Sequence, residues 1–154
     1  MPNSPTCFNR SIRMDVARDY TEKWHHTQQI FDATNRSSTI LNRRLGHPCL
    51  DIFMRALPFT FRSVEADEGS IVTVTITGEA GDSWHIERRA SGWDQIAAAP
   101  RPAAATITMD QDTAWKLVTK RRSRGTARQQ FSGITIKGDE ALGLHVLDMV
   151  SVMA

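Results

Sequence analysis

Glu22 and His26 come closest, by type and spacing, to residues that do chemistry. They stand four apart in Glu22-Lys23-Trp24-His25-His26. On a helix that spacing sets two side chains next to one another. A carboxylate oxygen beside an imidazole nitrogen suits Zn²⁺ or a similar divalent ion. Asp19 lies one turn earlier and can serve as a ligand or orient one. His25 is adjacent in sequence but rotated by about 100° on a helix, which makes it an accessory at most. A metal site normally takes a third protein ligand, and this segment offers no obvious one. The competing reading is an exposed Glu–His pair that adds a few tenths of a kcal/mol to its helix.

The second candidate is basic. Lys120-Arg121-Arg122-Ser123-Arg124, with Arg128 beyond, can receive an anion or simply remain solvated. No aromatic residues interleave with it, so a nucleic-acid surface is not expected. Other polar residues read as structural. His47 precedes Pro48 and serves turn geometry. His85 lies on the polar side of a strand beside Glu87. His145 borders an apolar stripe. Cys7 and Cys49 have no CxxC partner or basic neighbourhood to activate them. Trp84, Trp93 and Trp115 read as core.

These residues need elements to hold them. Residues 13–34 read as a helix, with Val16, Ala17, Tyr20, Trp24 and Phe31 within an arc of about 100°. Asp19, Glu22 and His26 fall on a different side. Residues 1–12 read as an arm and 35–47 as a linker. Pro48 suits the first turn of a second helix, in which Leu50, Phe53, Met54 and Leu57 keep helical spacing and which Pro58 should kink or end. The pattern then turns to period two. Ile71–Thr77, Ser83–Arg89, Gly92–Ile96, Ala105–Met109 and Phe131–Lys137 read as five closely spaced strands, mostly antiparallel. Asp110 is a good cap for a helix carrying Ala114, Trp115, Leu117 and Val118. Gly138-Asp139 opens a last helix with the stripe Leu142, Val146, Met149, Val150 and Met153. The class is α+β, with residues 48–154 forming a sheet covered by helices.

Composition bounds the rest. The chain has 154 residues, 40% hydrophobic and 23% charged, with a net charge of +2. This excludes a disordered chain and gives no electrostatic reason for nucleic acid or an acidic membrane as partner. No stretch approaches the ~20 apolar residues of a membrane span. The polar N-terminus lacks the apolar segment of a signal peptide, so a soluble cytoplasmic protein with reduced cysteines is expected.

The segment Asp15–Ala33, with Asp19-Tyr20-Thr21-Glu22-Lys23-Trp24-His25-His26 at its centre, resembles the last bundle helix of mycothiol-dependent maleylpyruvate isomerase-like proteins. Further matching stretches follow in order: Phe53–Arg62, Ile76–Trp84, Asp112–Leu117, Lys137–Leu142 and Val146–Ala154. Proteins of that family join a DinB-like four-helix metal-binding domain to a small α+β domain of sterol-carrier-protein-like fold. The resemblance implies that Glu22 and His26 correspond to two of three metal ligands. The third would be a histidine from an earlier helix that this chain lacks. It also implies a C-terminal arginine for an acidic substrate, with Arg121, Arg122, Arg124 and Arg128 as candidates.

Two functions follow as expectations. One is a truncated or stand-alone homologue, completed by a separate chain that supplies the missing helices. Its metal, Zn²⁺ by donor type, would activate mycothiol's thiolate for cis–trans isomerisation. The other is a non-enzymatic module that binds a small apolar ligand or dimerises. Loss of a bundle would leave one side of helix 13–34 uncovered, so a homodimer through that helix is expected.

Overall fold

A computed structural model describes residues 5–36, 38–119 and 133–150, with residues 5–14 described by their backbone alone. The chain runs α1 (Pro5–Ala33), α2 (Gly46–Met54), α3 (Leu57–Thr60), β1 (Ile71–Thr77), β2 (Ser83–Arg89), β3 (Gly92–Ile96), β4 (Ala105–Asp110), α4 (Gln111–Val118), β5 (Thr135–Gly138) and α5 (Glu140–His145). A 3₁₀ turn, Val146–Asp148, follows.

Helix α1 starts earlier than periodicity suggests. Residues 5–12, expected as an arm, are helical from Pro5. Proline is tolerated in a first helical turn, and the residues from Thr6 to Ile12 include no further breaker. The exit lies where expected. Asn35 adopts a left-handed conformation with φ of 52°. The Arg36 amide donates to Phe31 O at 2.9 Å and the Asn35 amide to Asp32 O at 3.2 Å, which closes the last turn as a Schellman motif. Helix α2 stops at Met54, short of the expected Leu57, and Pro58 sits in the first turn of α3.

The five strands form one sheet in the order β3-β2-β1-β4-β5. Three pairings are antiparallel, but β1 and β4 run parallel, which a simple meander does not contain. The register puts Val72, Val74 and Ile76 of β1 beside Ala105, Ile107 and Met109 of β4. On the other side Val72 and Val74 meet Ile86 and Trp84. These residues share one face and are buried. Phe53 and Met54 of α2, Leu57 of α3, Trp115 and Leu117 of α4 and Leu142 of α5 cover that face.

Caps fix the two later helices. The Asp110 carboxylate accepts from the Thr113 amide at 2.9 Å and from its hydroxyl at 2.6 Å. Burial alone would push this carboxyl up, but those bonds win and hold it below its ordinary value. Asp139 caps α5 by accepting from the Leu142 amide at 3.0 Å. The expected long last helix is shorter. It stops at His145, and Met149 turns extended with φ of −63° and ψ of 130°. Leu142, Val146 and Met149 nevertheless remain buried. The fifth strand is shorter than Phe131–Lys137, and Phe131 and Met153 lie outside the described residues.

Several side chains join α1 to this body, with Trp24 at their centre. Trp24 is 4% exposed. Its ring meets Phe53 and Trp115 edge-on, each at 6.2 Å between centroids. Its indole N–H donates to Ile40 O at 3.1 Å. Tyr20 donates to Leu45 O at 2.9 Å, and Asp32 pairs with Lys116 of α4 at 2.9 Å. Trp24→Ala leaves a cavity between two aromatic rings and an unpaired carbonyl. It is expected to lower unfolding free energy by about 3–5 kcal/mol. Urea denaturation followed by circular dichroism checks this, and a loss below about 1 kcal/mol would mean that α1 is not docked as described.

Candidate functional site

The helix that carries the chemistry-like residues turns them away from the body. Thr21, Trp24 and Gln28 bury one side of α1, whereas Asp19, Glu22 and His26 are exposed on the other. Arg18 Nε lies 3.5 Å from the Glu22 carboxylate, and His26 Nδ1 is 3.0 Å from Gln29 Oε1. His25 points back toward α4, half-buried, and meets the Trp115 ring edge-on at 6.1 Å. Among the described residues, no three His, Cys, Asp or Glu side chains gather to hold a metal ion. Arg121, Arg122, Arg124 and Arg128 lie outside the described residues.

A polar cluster absent from the sequence reading lies at the start of α2. His47 stacks on Trp84 at 5.9 Å, and its Nδ1 is 3.1 Å from Ala80 O. Its Nε2 lies 4.0 Å from the Asp82 carboxylate. Arg43 donates to Asp82 at 3.0 Å and to Gly81 O at 2.9 Å. Trp84 donates its indole N–H to Asp51 at 3.1 Å. Gln111 accepts from the Ala80 amide at 2.8 Å and donates to Leu41 O at 3.1 Å. These bonds clasp the β1–β2 loop to α2 and to the segment before it. Both ring nitrogens of His47 face partners within the clasp, so its role is structural.

A cleft of about 560 Å³ opens between the loop Ser63–Ser70 and α5. Trp93 holds the loop by donating its indole N–H to Val64 O at 2.9 Å. The Val64 amide donates to Phe61 O at 2.8 Å. The opposite wall depends on Gly138, whose φ is 84°. A Cβ there would run into Ala104 O. Glycine lets β5 close on Ala104, and the Asp139 amide then donates to that same carbonyl at 2.8 Å. Val64, Ala66, Ala104 and Leu142 give an apolar floor continuous with the core. Glu65, Asp67 and Asp139 place carboxylates around it. The cations nearby are few. Arg88 reaches Glu65 at 3.7 Å, and His145 faces Asp148 at 3.6 Å. The rim is therefore anionic. Its residues come from three separated segments, so no local spacing announces them. Asp139 at the opening of the last helix, Leu142 in that helix's apolar stripe and His145 at its boundary carried a sequence signal.

Chemically reactive groups elsewhere are quiet. Cys49 is buried, and burial pushes its thiol up to about 12, which leaves it protonated and unreactive. No helix among the described residues is long and apolar enough to cross a membrane.

No protein-family description matches the chain, and no curated protein matches it. Solved structures do match. Sterol carrier protein 2-like 2 from Aedes aegypti is similar at 14% identity and a TM-score of 0.47, over 66% of this chain and 95% of that one. The same mosquito protein in a palmitated state, solved in solution, is similar at 16% identity and 0.47, over 66% and 93%. A ubiquinone synthesis protein, UbiJ-SCP2, is similar at 18% identity and 0.42, over 64% and 83%. The likeness is one of chain architecture.

The clasp makes a pH prediction. The Ser83 amide, and after it the Arg43 guanidinium, hold the Asp82 carboxyl below its ordinary value against a smaller opposing effect of burial. A carboxylate with a lowered native pKa adds stability above its unfolded pKa and loses it as pH falls toward the native one. Asp82→Asn is thus expected to melt below the unmodified chain at pH 6. The gap should close as pH drops below about 4. Thermal melts across that range check it, and a gap that widens in acid would refute the assignment.

Proposed function

We propose that the chain is a non-enzymatic binding module of sterol-carrier-like architecture that takes a small apolar ligand in the cleft beside α5. The observation behind this reading is the pairing of an apolar floor with an anionic rim around about 560 Å³. That volume falls within the ~300–1,000 Å³ common for small-molecule sites.

The rim selects the head group. A fatty carboxylate brought to Glu65, Asp67 and Asp139 meets like charge. A neutral or cationic head meets acceptors instead, and its hydrocarbon tail covers Val64, Ala66 and Leu142. Palmitate is thus a poor fit for this rim, whatever suits the mosquito protein.

Dodecyltrimethylammonium and dodecanoate, each below its micellar concentration, separate these cases in ¹H–¹⁵N titrations. The ammonium compound is expected to shift the amides of Val64, Ala66 and Leu142. Dodecanoate is expected to bind at least about tenfold more weakly, a difference of about 1.4 kcal/mol. Ala141→Trp plants an indole on the exposed wall of α5 and should abolish the shifts while leaving the melting temperature unchanged. The absence of shifts at the floor residues with either compound would remove the proposal.

A further inference from the structure

The lining of the cleft beside α5 contains a single basic side chain. Glu65, Asp67 and Asp139 line it as acids, and His145 is the one lining residue able to become a cation. Ala141 and His145 are four apart on α5, so they share the wall that faces the cleft. The His145 ring is held in place there. It meets the buried Phe61 ring edge-on at 6.0 Å. Its Nδ1 lies 3.6 Å from the Asp148 carboxylate, too long for a hydrogen bond. The side chain is 40% exposed, so protons reach it from solvent. The charged groups around it are Asp139 and Glu140 at the start of α5, Asp148 in the turn that follows, and Glu65 and Asp67 in the opposite loop. Arg88 of β2 stands behind Glu65.

We propose that His145 makes the cleft's choice of head group depend on pH. While the ring is neutral, the rim carboxylates draw a cationic head. Once the ring is protonated, its charge opposes that head and gives an anionic one a partner. A cationic apolar ligand is thus held at neutral pH and released in mild acid. Imidazole is the side chain whose charge ordinarily changes between about pH 5 and 8. Carboxylates ordinarily do so nearer pH 4, so the rest of the rim stays ionised over that range. Asp148 is an anion in both states of the ring, so protonation still raises the net charge at the cleft by one. This switch rests on the reading of the cleft as the ligand site, and that reading does not require the switch.

Two probes of permanent charge, dodecyltrimethylammonium and decanesulfonate, test it in ¹H–¹⁵N titrations of the full chain. Both are kept below their micellar concentrations, in low salt, at about pH 7.5 and about pH 5.5. From the higher pH to the lower, the ammonium compound is expected to lose about threefold in affinity and the sulfonate to gain about as much. The change is modest because the ring is partly exposed. His145→Gln removes the titrating group and leaves the carboxylates, so each probe should bind it alike at both pH values. His145→Lys, charged throughout, should show the acid preference at both. Shifts at Val64, Ala66 and Leu142 with a pH profile that His145→Gln leaves unchanged would overturn the switch and spare the cleft. The lack of those shifts with both probes at both pH values would overturn the cleft, and the switch with it.

Discussion

The seat of Trp24 between Phe53 and Trp115 is the contact on which the arrangement depends. Without it α1 would be held to the body chiefly by polar contacts such as the Tyr20–Leu45 bond and the Asp32–Lys116 ion pair. With it, one side of α1 becomes part of the core and the other is defined as surface. The docking has an opposing term. The Gln28 side-chain amide nitrogen is buried without a partner among the described residues, which costs about 1–3 kcal/mol. The indole, its bond to Ile40 O and the Asp32–Lys116 ion pair must outweigh that. Lys116 reflects the balance. Partial burial disfavours its ammonium, yet Asp112 and Asp32 together hold its pKa above the ordinary value.

A second constraint shapes the far end of the sheet. Because β4 lies parallel to β1, the chain after β3 must travel back along the sheet before it can pair. The connector with Pro100 and Pro102 makes that return and delivers Ala104 next to Gly138. The cleft forms there because β5 can approach Ala104 only through a residue without a Cβ. Asp139 then caps α5 and, by the same placement, adds a carboxylate to the rim. One local requirement of the backbone thus sets both the helix start and the electrostatics of the candidate site.

Local patterns in the sequence were legible where the physics is local. The β-branched run Ile71–Thr77 reads as the strand it forms, Asp110 reads as the cap of α4, and Gly138-Asp139 marks where α5 opens. The parallel pairing was not legible, because a run of β-branched residues does not say which neighbour it will choose. The cleft was invisible for the same reason, as its floor comes from residues separated by most of the body. Periodicity on α1 was half informative. It grouped Val16 with Trp24, but an arc of about 100° is wider than the strip that a single packed helix face buries here. Trp24 entered the core and Val16 did not.

The same geometry bears on Glu22 and His26. Their spacing sets a carboxylate and an imidazole on adjacent turns, and α1 carries both on the side away from the described body. Two donors on one helix bind a divalent ion weakly unless another element closes the coordination sphere. Any such element has to approach from the outward side of α1. That is the side on which Val16 and Ile30 are exposed. The packing of Trp24 therefore decides more than stability, because burying one face of α1 commits every remaining interaction of that helix to the other.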